Sequence, residues 1–378
     1  MIEIVEQYSQ LSLFSALLIY ALSFIFFAVD LANRAGEDGV SITAATRDGV
    51  RRNSKSARIG FSLLVLGWVF QLAATVLRGL EGGRVPWANM YEFALTATLA
   101  IVTIFIVVQF FVDLRFLGTL ISGLTLVFLG IARMNFYVPS VPLPPALDSY
   151  WLVIHIIVAV LAVAFLTLSF GLSIVQLLQS RRERLLKEAD STVRAQQREA
   201  GRSAGPGNAV SDSAVSTDST AETSGSSFGS TAAAGMAATA TLSETQSPAA
   251  SGAPFVDPSA PDTGKQPLRF LRSFPNADTL ENLSYRMVVI GFVFWTFTLI
   301  AGSIWAEHAW GRYWGWDTKE VWTFIIWVLY AGFIHARATK GWRGSRSAWL
   351  SIIAYSAVIF NFTIVNLFFK GLHAYSGL

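Results

Sequence analysis

The chain has 378 residues, 53% of them hydrophobic and 14% charged, and a net charge of +3. Several apolar runs reach the roughly 20 residues needed to cross a bilayer, so the composition predicts an all-α polytopic membrane protein. Basic residues fall in loops and form no stripe, which excludes nucleic acid as a partner. The absence of cysteine excludes disulfides, thiolate metal sites and a cysteine nucleophile.

About eight transmembrane helices are predicted, near 11–29, 59–77, 93–112, 114–132, 151–178, 286–306, 320–338 and 347–369. The first run has no small-residue cleavage site after it and reads as a retained helix. Spans three and four are separated by little more than Asp113, which requires a tight hairpin. Arg34, Arg47, Arg51, Arg52, Lys55 and Arg58 in the first loop, and Arg337, Lys340, Arg343 and Arg346 after span seven, mark cytoplasmic loops. Both termini are then external, as are Arg78–Glu92, Arg133–Tyr150, Glu307–Lys319 and Lys370–Leu378.

The organisation expected is a membrane half over 1–178 with spans one to five, a long cytoplasmic loop over 179–285, and a second membrane half over 286–378. The loop starts with the basic residues Arg181, Arg182, Arg184 and Lys187, which continue span five as a helix into water. From 201 to 265 it is Ala, Ser, Thr, Gly and Pro with few large apolar residues, too little to offset the entropy of ordering, and is expected to be disordered. Gln266–Tyr285 is expected to form a short amphipathic helix along the inner membrane surface. No repeat, phosphate loop or dinucleotide fingerprint occurs.

One stretch is not explained by packing economy. Trp310, Gly311, Arg312, Tyr313, Trp314, Gly315, Trp316, Asp317, Thr318, Lys319 and Glu320 lie between two apolar runs. Trp and Tyr collect at membrane interfaces as aromatic belts, but a belt does not call for Gly311 and Gly315 at fixed spacing. Glycine lets a backbone turn or approach a ligand, and indole faces offer a stacking surface for a flat guest. Arg312 and Lys319 are candidates to meet carboxylates on that guest. Asp317 is placed to cap span seven, with Glu320 in its first turn. Val85–Glu92, which opens span three, is a candidate second wall.

The four histidines divide by depth. His155 lies one turn past Trp151 near the outer end of span five, and His373 follows the outer end of span eight. His335, 15 residues beyond Glu320, is about 22 Å down span seven. An intramembrane histidine is a functional candidate by default, although an interhelical hydrogen bond would also account for it. Facing headgroups would account for His155 and His373; so would binding the two sides of one haem iron.

The run Trp305-Ala-Glu-His-Ala-Trp-Gly-Arg-Tyr-Trp-Gly-Trp-Asp-Thr-Lys-Glu-Val-Trp resembles the tryptophan-rich WWD signature of the CcsA/ResC cytochrome c biogenesis family, called CcsB in some bacteria. Pro86–Glu92, His155, Ile334–Arg337 and Asn366–Tyr375 are similar to that family as well, whereas His308 has no counterpart and Thr318 stands where many members have proline. The resemblance implies a protein of the bacterial cytoplasmic membrane that moves haem b across it. It also implies presentation of that haem, with a ResB-type membrane subunit, for thioether attachment to the Cys-x-x-Cys-His of apocytochrome c, and a thiol-reducing protein as a further partner. By motif position, His155 and His373 match the external iron ligands, and His335 matches a transmembrane ligand whose opposite number comes from the partner. Haem would enter near His335, pass outward through the bundle and rest against Trp310, Trp314 and Trp316, which makes the chain a subunit of a haem lyase complex. A haem-containing electron-transfer protein and a transporter of another planar solute are the competing readings.

Overall fold

The computed structural model describes residues 2–36, 55–140, 149–203, 268–369 and 371–372. Among these, eight helices are long and apolar enough to cross a membrane. They are α1 (Ile2–Gly36), α2 (Lys55–Gly82), α3 (Met90–Val108), α4 (Gly118–Asn135), α5 (Tyr150–Ser203), α6 (Ala277–Trp310), α7 (Thr318–Lys340) and α8 (Ser345–Phe368). The chain divides into Met1–Ala189 with Gln266–Leu378, which is the helical bundle, and Asp190–Lys265, of which the helical residues to Ser203 are described.

Within lipid the apolar side chains gain little by leaving the solvent, so helices are held by close approach and by interhelical hydrogen bonds. α1 and α2 illustrate both. Gly60 and Gly67 leave room for the rings of Phe27 and Tyr20. Ser9 Oγ donates to the Ala74 carbonyl at 3.0 Å, Tyr20 Oη to Gln71 Oε1 at 2.7 Å, and Ser23 Oγ to the Gly60 carbonyl at 2.8 Å. Gln71 continues to α3, donating to Thr98 Oγ1 at 2.8 Å. Hydroxyls likewise join α5, α6 and α8, with Ser169 Oγ 2.9 Å from Ser284 Oγ and 3.1 Å from Ser351 Oγ.

The connections differ from expectation in two places. The break between spans three and four extends from Gln109 to Leu117 and includes a 3-10 turn at Arg115–Leu117. Gln109 Oε1 accepts from the Leu114 N–H and Asp113 Oδ1 from the Arg115 N–H, so polar side chains satisfy backbone donors that a direct hairpin would leave open. Gln266–Tyr285 is not one surface helix. Its described part is a 3-10 turn at Arg269–Ser273 followed by the start of α6, capped by Asn276. Leu271 and Leu280 are buried in the bundle core. The bundle thus extends past residue 178 on one side and begins before 286 on the other. Expectations for 204–267 lie outside the described residues.

Alternating helix directions gather the α2–α3, α4–α5 and α6–α7 connections and the end of α8 at one end of the bundle. Contacts across it include Arg78 to the Val138 carbonyl, Trp151 to His308 and Lys319 to Asn366.

Candidate functional site

Two loops frame this end, and each is tied to its helix by a glutamate in the first turn. Ahead of α3, Asn89 caps the helix by accepting the Glu92 N–H at 2.9 Å, and Glu92 Oε2 reaches back to the Ala88 N–H at 3.0 Å. The Glu92 carboxylate is fully buried and meets Arg78 Nε at 3.1 Å and Arg84 Nη1 at 2.6 Å. Arg78 also donates to the Val138 carbonyl at 2.7 Å and lies 5.6 Å from the centres of the Tyr91 and Tyr137 rings. Buried charges persist only when paired in this way, and the network fixes the loop carrying Trp87.

Ahead of α7, Asp317 is the capping residue, and Glu320 Oε2 accepts both the Gly315 N–H at 2.8 Å and the Asp317 N–H at 3.0 Å. Gly311 ends α6 at φ 67°, and Trp316 adopts φ 57°. A left-handed backbone is natural for the glycine and strained for the tryptophan, whose indole is nonetheless 78% exposed. Gly315 lies beneath the Arg312 guanidinium, and Gly371 lies against the Asp317 carboxylate, each without room for a β-carbon. Gly371 precedes His373 by two residues; His373 itself lies outside the described residues.

Between the loops a cavity opens into the bundle. Trp87, Phe93, His155, Trp295, Trp305 and Lys319 are among its walls, and it descends to Phe128 and Tyr355. His155 is held on three sides. Its Nδ1–H donates to the Thr298 carbonyl at 2.9 Å, its ring stacks on Trp305 at 6.0 Å, and Gly302 abuts its edge. In the tautomer that donates from Nδ1, Nε2 is the ring's other nitrogen on the cavity side, the arrangement in which a backbone carbonyl orients a metal-binding imidazole. Trp310 packs edge-on against Trp305 at 4.8 Å. Lys319 Nζ donates to Asn366 Oδ1 at 2.5 Å.

A smaller groove brings His155, Tyr313, Trp314, Lys319 and Glu320 together. Of the two candidate cations, Lys319 faces the cavity, whereas Arg312 is exposed and folded over Gly315. Tyr313 and Trp316 face outward. His308 is exposed, with Nδ1 2.9 Å from the Ile304 carbonyl and 3.3 Å from Glu307.

His335 is not at the cavity. It is exposed on the outer face of α7, in line with Phe324, Val328 and Gly332. Lys319 lies about 160° around the helix from it at 100° per residue. Among the described residues there is no group of three or more His, Asp or Glu suited to a metal. Among the described residues, iron ligation would rest on single imidazoles, as it does in haem proteins. The His155 imidazole, the flat aromatic walls and the half-buried Lys319 ammonium fit a haem with its carboxylates.

Sequence reasoning missed Thr298, Gly302, Asn361 and Asn366. The first two act through backbone and space and leave no side-chain signal. The asparagines do leave one, since amides within an apolar span are costly and mark buried contacts.

Fold and site together define a polytopic membrane protein with an aromatic, imidazole-bearing cavity at one end of its helical bundle. A family model described as cytochrome C assembly protein matches residues 87–373, and the chain belongs to that family. The cytochrome c biogenesis protein CcsA of Picosynechococcus sp. is 31% identical over 309 residues, covering 80% of this chain and 83% of its own. CcsA of Synechococcus elongatus is 31% identical over 322 residues, covering 84% and 87%. Among solved structures, Cytochrome c Heme Lyase CcmF aligns with a TM-score of 0.53 at 13% identity over 95% of this chain and 46% of that one. This likeness concerns the fold, and this chain spans about half the length of that structure. The protein is a multi-pass membrane component of cytochrome c biogenesis.

Proposed function

We propose that this chain carries haem b across the cytoplasmic membrane and presents it externally, with a ResB-type subunit, for attachment to apocytochrome c. The observation that carries the reading is His155, whose Nδ1 is engaged by the Thr298 carbonyl at the wall of the cavity beneath the tryptophan loop. His373 would be the second iron ligand; Gly371, two residues before it, lies against Asp317 of the tryptophan loop.

His335 takes haem within the membrane, and its exposure on the outer face of α7 suits a second ligand from the partner subunit. Haem then moves along that face and not through the core. Phe324, on the same face, contacts Trp314 at 6.5 Å, and Trp314 lines the groove that leads to His155. Each thioether forms when a substrate thiol adds across a haem vinyl group, the sulfur bonding to one vinyl carbon and a proton to the other. The chain supplies position, and the reacting groups belong to haem and substrate.

The test is co-expression with the partner subunit and an apocytochrome bearing Cys-x-x-Cys-His. Covalent haem on the cytochrome should fall at least tenfold with His155→Ala and with His335→Ala. Undiminished attachment in both variants would overturn the proposal.

A further inference from the structure

α8 changes its winding where it meets the cavity. It is α-helical to Phe360, π-helical over Asn361–Val365 and α-helical again from Asn366. Residues five apart on an α-helix point about 140° away from each other, whereas a π turn, closed by i to i+5 bonds, brings them to one side. Asn361 and Asn366 are 6% and 8% exposed, and both line the cavity shared by His155 and Lys319.

Their amides are used differently. Asn366 accepts from Lys319 Nζ at 2.5 Å and donates to the Phe362 carbonyl at 2.8 Å. Asn361 Oδ1 is buried without a hydrogen-bond partner among the described residues. A π turn that turns two buried amides toward one cavity is the kind of local distortion that recurs at functional sites.

We propose that Lys319, Asn361 and Asn366 form a carboxylate subsite on the cavity wall that takes the propionates of haem. The inference rests on the reading of His155 as an iron ligand. Lys319 supplies the charge, Asn366 is a positioning residue that holds the ammonium, and the Asn361 amide donates to a carboxylate oxygen.

The test uses haem-free full-length protein in detergent, carrying His335→Ala so that the external site alone is titrated. Haem and its dimethyl ester are compared through the Soret band. Haem should bind about tenfold or more tightly than the ester. Lys319→Met and Asn361→Asp should remove most of that preference by weakening haem while leaving ester affinity and band position unchanged. Equal affinity for the two ligands in the parent protein, or variants that weaken both alike, would overturn the subsite. A His155→Ala protein that still titrates with haem like its parent would overturn the underlying iron-ligand reading instead.

Discussion

His155 donates through Nδ1 to the backbone carbonyl of Thr298 at 2.9 Å, and Gly302, one turn further along α6, abuts the same ring. A β-carbon at Gly302 would stand 2.8 Å from His155 Cε1 and 2.9 Å from Nδ1. The ring has little room to retreat because Trp305 stacks on its face. Gly302→Ala is therefore expected to misdirect the imidazole. Haem affinity at the His155 cavity should drop about tenfold, while stability falls by about 1–3 kcal/mol, the usual cost of overpacking. Haem titration alongside thermal unfolding checks this.

Trp316 holds a left-handed backbone with an exposed indole, a combination that costs stability and persists where function requires it. Trp316→Gly is expected to leave the melting temperature equal to or above that of the parent, yet reduce haem transfer to apocytochrome. A variant that loses stability in a melting experiment would show that the indole serves packing.

Glu320 satisfies two backbone donors of the tryptophan loop, at Gly315 and Asp317. Removing the acceptor strands both, and Glu320→Ala should cost about 1–3 kcal/mol in chemical unfolding. Glu320→Gln, which keeps an acceptor oxygen, should lose less.

The buried Glu92 carboxylate neutralises Arg78 and Arg84. Glu92→Ala should be strongly destabilising, by about 3–5 kcal/mol, because two guanidinium groups lose their common partner. The exposed pair Arg194–Asp190 makes the control: Asp190→Ala should have no measurable effect on unfolding.

Much of this was legible in the sequence, for reasons that differ by region. Lipid imposes a length and polarity on every span, so hydropathy located all eight. Indoles, glycines and charges do not otherwise crowd into eleven residues, so Trp310–Glu320 stood out, and Asp317 with Glu320 carried the signature of a helix start. Depth placed His155 near the outer end of span five, and it lies on the cavity wall. Its partners were not, because the Thr298 carbonyl and the space at Gly302 belong to a helix 143 residues away. The facing of His335 was also hidden, since depth along a helix does not say which side packs. Asn361 and Asn366 escaped because an α-helical projection puts them on different faces, and only the π turn aligns them.

The central claim is that His155 binds the iron of externally presented haem. Its most direct test is the absorption spectrum of purified His335→Ala protein compared with that of the His335→Ala, His155→Gly double variant, before and after adding imidazole. The account expects the Soret band to be lost with His155→Gly and restored when imidazole enters the space left by the side chain. An undiminished band in the double variant without imidazole would contradict it.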